Sequence, residues 1–240
     1  HDYLLETKER FDFYKKKEER LELDLEYFNK ITRGGIPSKT LNICLAGTGV
    51  GKSLFMCHLA SSYLLQGLNV LYISLEMAEE RIAERIDANL FDVTIDDLHD
   101  MPKQLYDNKV SKLQAKTGGK LIIKEYPTAS AHSGHFRALL NELALKKSFK
   151  PDVVFVDYLN ICASARFKGG NISSYFYIKA IAEELRGLAV EFDVPIFSAT
   201  QTTRTGYVST DIGLEDTSES FGLPATADFM FALMSNEELE

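Results

Sequence analysis

Ala46-Gly47-Thr48-Gly49-Val50-Gly51-Lys52-Ser53 is the stretch on which the fold turns. Residues 41–45 before it form a short apolar run with the length of a strand. Residues 53–66 after it carry apolar side chains at helical spacing, and Gly67 is placed to end that helix. A Gly-rich turn between a strand and a helix is where a phosphate-binding loop belongs. Glycines let the backbone curl so that its N–H groups face phosphate oxygens. The helix start adds the positive end of its dipole. Lys52 is placed to reach the β- and γ-phosphates of a nucleotide, and the Ser53 hydroxyl to ligate Mg²⁺. The strict pattern G-x-x-x-x-G-K-S/T asks for Gly where this chain has Ala46. A plain Gly-rich turn is the alternative, but it leaves Gly51-Lys52-Ser53 unexplained.

Outward from this loop, strands and helices alternate. Strand-like runs occupy residues 69–74, 120–124, 153–157 and 195–199, with a further one at 227–233. Helical spacing covers 78–90, 136–147 and 178–192, while 92–118 reads as polar, partly helical surface. Near-continuous apolar strands alternating with helices predict an α/β fold, a mainly parallel central sheet flanked by helices. Residues 2–24 read differently, being dense in Lys, Glu and Arg with Leu4, Phe11, Tyr14 and Leu21 near helical spacing. They predict a charged helix with a narrow apolar stripe, lying on its own domain or docking on a neighbouring subunit. Gly34-Gly35-Ile36-Pro37 then breaks the chain before the core.

The 240 residues carry 27 Lys and Arg against 35 Asp and Glu, a net charge of −8. That excludes a protein that coats DNA by bulk positive charge, but not a nucleic-acid site built from a few local basic residues. Apolar stretches fall far short of the ~18–20 residues of a membrane span, so no membrane partner is expected. The polar, mixed-charge start is no signal peptide. Cys44, Cys57 and Cys162 are scattered and form no C-x-x-C. This argues against a disulfide framework or structural zinc and for a cytoplasmic setting, the host cytoplasm if the source is viral. A chain that begins at His1 is expected to be a fragment or a processed product.

Three further residues carry candidate chemistry. Asp157 closes the apolar run Val153-Val154-Phe155-Val156 and is placed at the carboxyl edge of the sheet, where it would hold Mg²⁺. Glu76, in Ser74-Leu75-Glu76-Met77, follows another strand. It could orient and deprotonate the water that attacks a γ-phosphate, or merely favour a helix dipole. Gln201 lies just past residues 195–199 and could sense a γ-phosphate, or be an ordinary exposed polar residue.

Taken in order, these segments resemble the ATPase domain of DnaB-like, superfamily 4 replicative helicases, most of all the version carried by T-even-type bacteriophages. The resemblance runs from about Gly34 to Met234. Its blocks are Leu41-Asn42-Ile43 leading into residues 46–53, Tyr72-Ile73-Ser74-Leu75-Glu76-Met77, Val156-Asp157-Tyr158-Leu159, Ala199-Thr200-Gln201, and Glu219-Ser220 through Ala225-Thr226-Ala227-Asp228. Ala46 in place of the first loop Gly is compatible with that family. The resemblance implies a RecA-like phosphate-loop core and a hexameric ring with ATP bound between subunits. It also implies translocation on single-stranded DNA, with a primase and a helicase loader as partners. Matched residue by residue, it implies that Ala46, Gly47, Thr48, Gly49, Val50, Gly51, Lys52 and Ser53 bind the nucleotide. Ser53 and Asp157 would then hold Mg²⁺, Glu76 would be the catalytic base and Gln201 the γ-phosphate-linked glutamine. Arg85 matches a family arginine to which no role is assigned. Residues 1–33 would be the linker helix and connection, and 34–240 the ATPase domain.

The family's DNA-contacting loops would correspond to residues 164–174 and 202–213. Arg166 and Lys168 lie in the first, where no acidic residue occurs between Tyr158 and Ala182, and Gly169 and Gly170 loosen it. Arg204 lies in the second, and Tyr207 could stack on a base. A ring would multiply such cations into a basic pore. The chain ends at Glu240, before the segment that supplies the family's arginine finger. The isolated chain is therefore expected to hydrolyse ATP weakly. A RecA-like recombinase and an ATP-gated loader or assembly module are the competing readings.

Overall fold

The computed structural model describes residues 3–15, 19–167, 172–201 and 222–234. The N-terminal part departs from the single helix expected over 2–24. Helix α1 (Thr7–Lys15) is short, and Leu4, Phe11 and Tyr14 of the expected stripe are exposed. The chain then forms β1 (Arg20–Leu21), α2 (Glu26–Ile31) and β2 (Ile36–Pro37), with β1 antiparallel to β2. This pairing ends the helical reading. It requires Gly35, whose φ is +114° and where a Cβ would come within 2.2 Å of the Leu21 carbonyl oxygen. The Asn29 side chain closes the intervening turn, accepting from Leu23 N at 2.9 Å and donating to Leu23 O at 2.6 Å. Leu23 is thereby buried, and the Phe28 ring packs edge-on against Phe229 and Phe231.

The core follows as β3 (Leu41–Ala46), α3 (Lys52–Leu65), β4 (Val70–Ser74), α4 (Glu79–Phe91), α5 (Ile95–His99), α6 (Lys103–Lys116) and β5 (Leu121–Glu125). It continues with α7 (Ser133–Lys147), β6 (Val153–Asp157), a 3₁₀ turn at Leu159–Ile161, α8 (Ser174–Phe192), β7 (Ile196–Gln201), α9 (Gly222–Thr226) and β8 (Phe229–Leu233). The expected strands and helices fall in place within a few residues. Residues 92–118 resolve into α5 and α6, α5 being started by a Thr94–Asp97 capping box.

The sheet has six strands in the order β5-β4-β6-β7-β3-β8, and its pairings are parallel. Each central strand is apolar on both faces, as a covered parallel sheet requires. Leu71, Ile73, Val154 and Val156 face the side packed by α7 and α8, while Tyr72, Phe155 and Phe197 face the side packed by α3 and α4. Across β4, β6 and β7 these three rings stack at 5.7 and 5.3 Å between centroids. Such aromatic pairs add about 0.5–1.5 kcal/mol each beyond their burial. Asp228 fixes the start of β3 by accepting from Leu41 N at 2.9 Å while holding the Arg186 guanidinium of α8 with both carboxylate oxygens.

Strand order places the chemistry. The strand β7 lies between β3 and β6. Ala46 stands in register with Gln201, and Ser74 with Asp157. The candidate residues on four different strands therefore share one carboxyl edge, which is where ligands bind in open parallel sheets.

Candidate active site

The loop from β3 to α3 is open to a ligand. Gly51 has φ +104° and Gly49 φ +80°, conformations that favour glycine. No side chain caps the start of α3. Among the described residues, the N–H groups of Thr48, Gly49, Gly51 and Lys52 donate to no carbonyl or side chain. A helix start with unsatisfied donors and a positive dipole end is an anion site awaiting its anion.

Lys52 is buried, and its Nζ lies 4.8 Å from the centroid of the Tyr158 ring. At the other end of that ring, Gln201 Nε2 donates to the Tyr158 hydroxyl at 3.2 Å. Burial pushes the Tyr158 phenol upward, and the negative charges of Glu76 and Asp157 push it further, so it stays protonated. Tyr158 thus touches Lys52 and Gln201 and feels Glu76 and Asp157.

Asp157 is fully buried. Its Oδ2 accepts from the Tyr72 hydroxyl at 2.9 Å, and its Oδ1 has no hydrogen-bond partner. Burial raises its pKa. The nearby Ser53 hydroxyl, the Tyr72 hydroxyl and the Lys52 charge work the other way, and Glu76 adds to the rise. A buried carboxylate oxygen left over beside a hydroxyl is a donor set that fits a hard divalent cation.

Glu76 is exposed on the turn after β4. That turn is held by Ser74, whose hydroxyl donates to Met77 O at 2.6 Å and accepts from Met77 N at 3.0 Å. Leu75 N donates to Asp157 O at 2.8 Å, which ties the turn to β6. The buried thiols beside the site are inert, Cys44 pushed up to about 12 and Cys57 to about 11 by burial. Arg85, on α4, faces a groove of about 900 Å³ that also touches Gly51, Leu54, His58 and Met234.

Of the basic residues read as DNA contacts, Arg166 is described. Its guanidinium pairs with Glu183, and its backbone N–H points at Glu184 and the Ser164 hydroxyl. Lys168, Arg204 and Tyr207 lie outside the described residues. Sequence reading passes over two tyrosines that organise the site, Tyr158 and Tyr72. For Tyr72 a signal exists: a hydroxyl in an otherwise apolar buried strand needs a partner.

A parallel sheet that gathers an open glycine loop, a buried acid and an amide at one carboxyl edge is the core of a phosphate-loop, RecA-like domain. The chain belongs to the DnaB-like helicase C-terminal domain family, whose model matches residues 21–238. It is 48% identical over 242 residues to the DnaB-like replicative helicase of Enterobacteria phage T4, covering 100% of this chain and 51% of that protein. It is 27% identical over 205 residues to the replicative DNA helicase DnaB of Helicobacter pylori strain J99, covering 83% of this chain and 40% of that one. The chain thus spans about half the length of the T4 relative and less of the bacterial one. Two solved structures share the fold at 18% identity over 97% of this chain. One is a DnaB-like replicative helicase described with its interactions with primase, at a TM-score of 0.76 and 55% of that chain. The other is an ATPase domain solved by itself, at a TM-score of 0.75 and 83% of that chain. Among the described residues, no helix is long and apolar enough to cross a membrane.

Proposed function

We propose that this chain is the motor domain of an ATP-hydrolysing replicative DNA helicase that translocates on single-stranded DNA as a hexameric ring. The observation that carries this is the convergence of Lys52, Asp157 and Gln201 on one sheet edge, beside the exposed Glu76, in a chain of this family. Residues 46–51 and Lys52 would hold the phosphates, and Ser53 and Asp157 would hold Mg²⁺. Bound ATP–Mg²⁺ supplies the phosphoanhydride bond whose hydrolysis drives the motor. Glu76, open to solvent yet tied to β6 through Leu75, would take a proton from the attacking water. Gln201 would report the γ-phosphate to residues 202–213, and Arg166, Lys168 and Arg204 would contact the DNA backbone. Residues 1–33 would act as linker and connection and 34–240 as the ATPase domain, with a primase and a loader as partners in a host cytoplasm.

The test is ATP hydrolysis measured against protein concentration, with and without single-stranded DNA, on the protein with its natural ends. Turnover per subunit should climb steeply with concentration and again with DNA, and Lys52→Ala should abolish it. Turnover that ignores both would point to a self-contained ATPase and remove the ring motor.

A further inference from the structure

One side chain holds both of the donors that the proposed mechanism aims at the γ-phosphate. The face of Tyr158 takes the Lys52 ammonium at 4.8 Å, and its hydroxyl takes the Gln201 amide at 3.2 Å. Lys52 is 8% exposed and forms no ion pair within 4.0 Å among the described residues. The ring is thus a desolvated resting place for the cation, the setting in which a cation–π contact is strongest. Tyr158 itself is pinned. It is 9% exposed, and its carbonyl accepts from Ile161 N at 3.3 Å in the 3₁₀ turn. The ring therefore does not follow Lys52 when Lys52 moves.

We propose that Tyr158 is a positioning residue that couples Lys52 to Gln201. The inference rests on the ATPase reading above and deepens it. A cation on the ring face withdraws electron density from the phenol and weakens its oxygen as an acceptor. A phosphate that draws Lys52 off the ring strengthens that oxygen, and the Gln201 amide is then held more firmly. Phosphate occupancy at the loop is thereby converted into order at the tip of β7, where residues 202–213 begin. Asp157 and Glu76 flank the phenol as negative groups, and the hydroxyl stays protonated throughout.

The test uses the full-length protein and splits the two ends of the ring. Tyr158→Phe keeps the face and loses the hydroxyl. Its ADP affinity should stay within about twofold of wild type, while kcat falls roughly fivefold at unchanged KM, the size of one neutral hydrogen bond. The double variant with Gln201→Ala should lose no more than Gln201→Ala alone, because both remove the same link. Tyr158→Leu removes the face and should bind ADP about threefold tighter, since the ring no longer competes for Lys52. A Phe variant with wild-type kcat, losses that multiply in the double variant, or a Leu variant with wild-type ADP affinity would each overturn the coupling. If the wild type itself shows no hydrolysis that depends on Lys52, the ATPase reading falls, and the coupling with it. That result is distinct from a working wild type with an indifferent Tyr158.

Discussion

Asp157 and Glu76 end neighbouring parallel strands, one turn of chain apart, yet the fold treats them oppositely. Asp157 is wholly buried with one oxygen unpartnered, while Glu76 stands in solvent. Burial disfavours the charged carboxylate of Asp157, and Glu76 nearby disfavours it further. A group kept at that cost is poised to be repaired by a cation. An exposed carboxylate is free to meet water. The difference assigns holding to one acid and proton transfer to the other.

The sharpest way to break the comparison is Glu76→Gln, which keeps shape and removes basicity. Hydrolysis should fall by about 10²–10⁴, the range of general-base contributions. ATP binding should persist, so filter binding should find ATP trapped while release of phosphate stops. A variant that still turns over at near wild-type rate would leave the switch or assembly reading in place of the motor.

Asp157→Asn is the next largest effect and has the opposite sign in the unliganded protein. The folded-state pKa of Asp157 lies above its ordinary 3.8. The stability it contributes is full below that ordinary value and is lost as pH rises through the raised one. At pH 7 the unliganded wild type therefore carries a penalty that Asn relieves. Melting temperature should rise by about 2–4 °C at pH 7 for each kcal/mol relieved and converge with wild type at acidic pH. Mg²⁺ with nucleotide should stabilise the wild type and not the variant. A variant that melts lower at pH 7, or gains as much from Mg²⁺, would contradict the division of labour.

Much of this contrast is legible in residues alone, and part is not. Asp157 closes an apolar run and Glu76 follows one, so strand period places both at a sheet edge. The loop 46–53 announces itself because only glycines and a small set of polar residues tolerate that geometry. Strand order is not written in any local pattern. That β7 lies between β3 and β6, which brings Gln201 beside the loop, depends on long-range packing of both faces. Tyr158 escapes notice for a related reason. Its two contacts come from Lys52 and Gln201, 106 and 43 positions away on either side of it, and no spacing rule links them. The helix expected over 2–24 fails where the β1–β2 pairing, which needs Gly35, outweighs helical spacing in a charged segment.

A third carboxylate refines the comparison by breaking its simple form. Glu184 on α8 is partly buried, and burial alone would raise it as it raises Asp157. Instead it accepts from the Ser164 hydroxyl at 2.7 Å, Ala165 N at 2.9 Å and the Ser133 hydroxyl at 2.8 Å, with Arg166 N nearby. Those donors hold it below the usual carboxylate range. Burial without donors makes an acid that waits for a cation, whereas burial with donors makes an anchor for the segment that carries Arg166. The stability from Glu184 is present above its ordinary value and is lost as pH falls through the lowered one, the reverse of Asp157. Glu184→Gln keeps size but loses the charge that those N–H and O–H groups address. Melting at pH 7 should drop by about 2 °C, and the deficit should fade as acid protonates the wild-type carboxylate. DNA affinity should weaken a few-fold, as about one charge-assisted hydrogen bond no longer orders the loop. A deficit that grows in acid would show that Glu184 belongs with Asp157 after all.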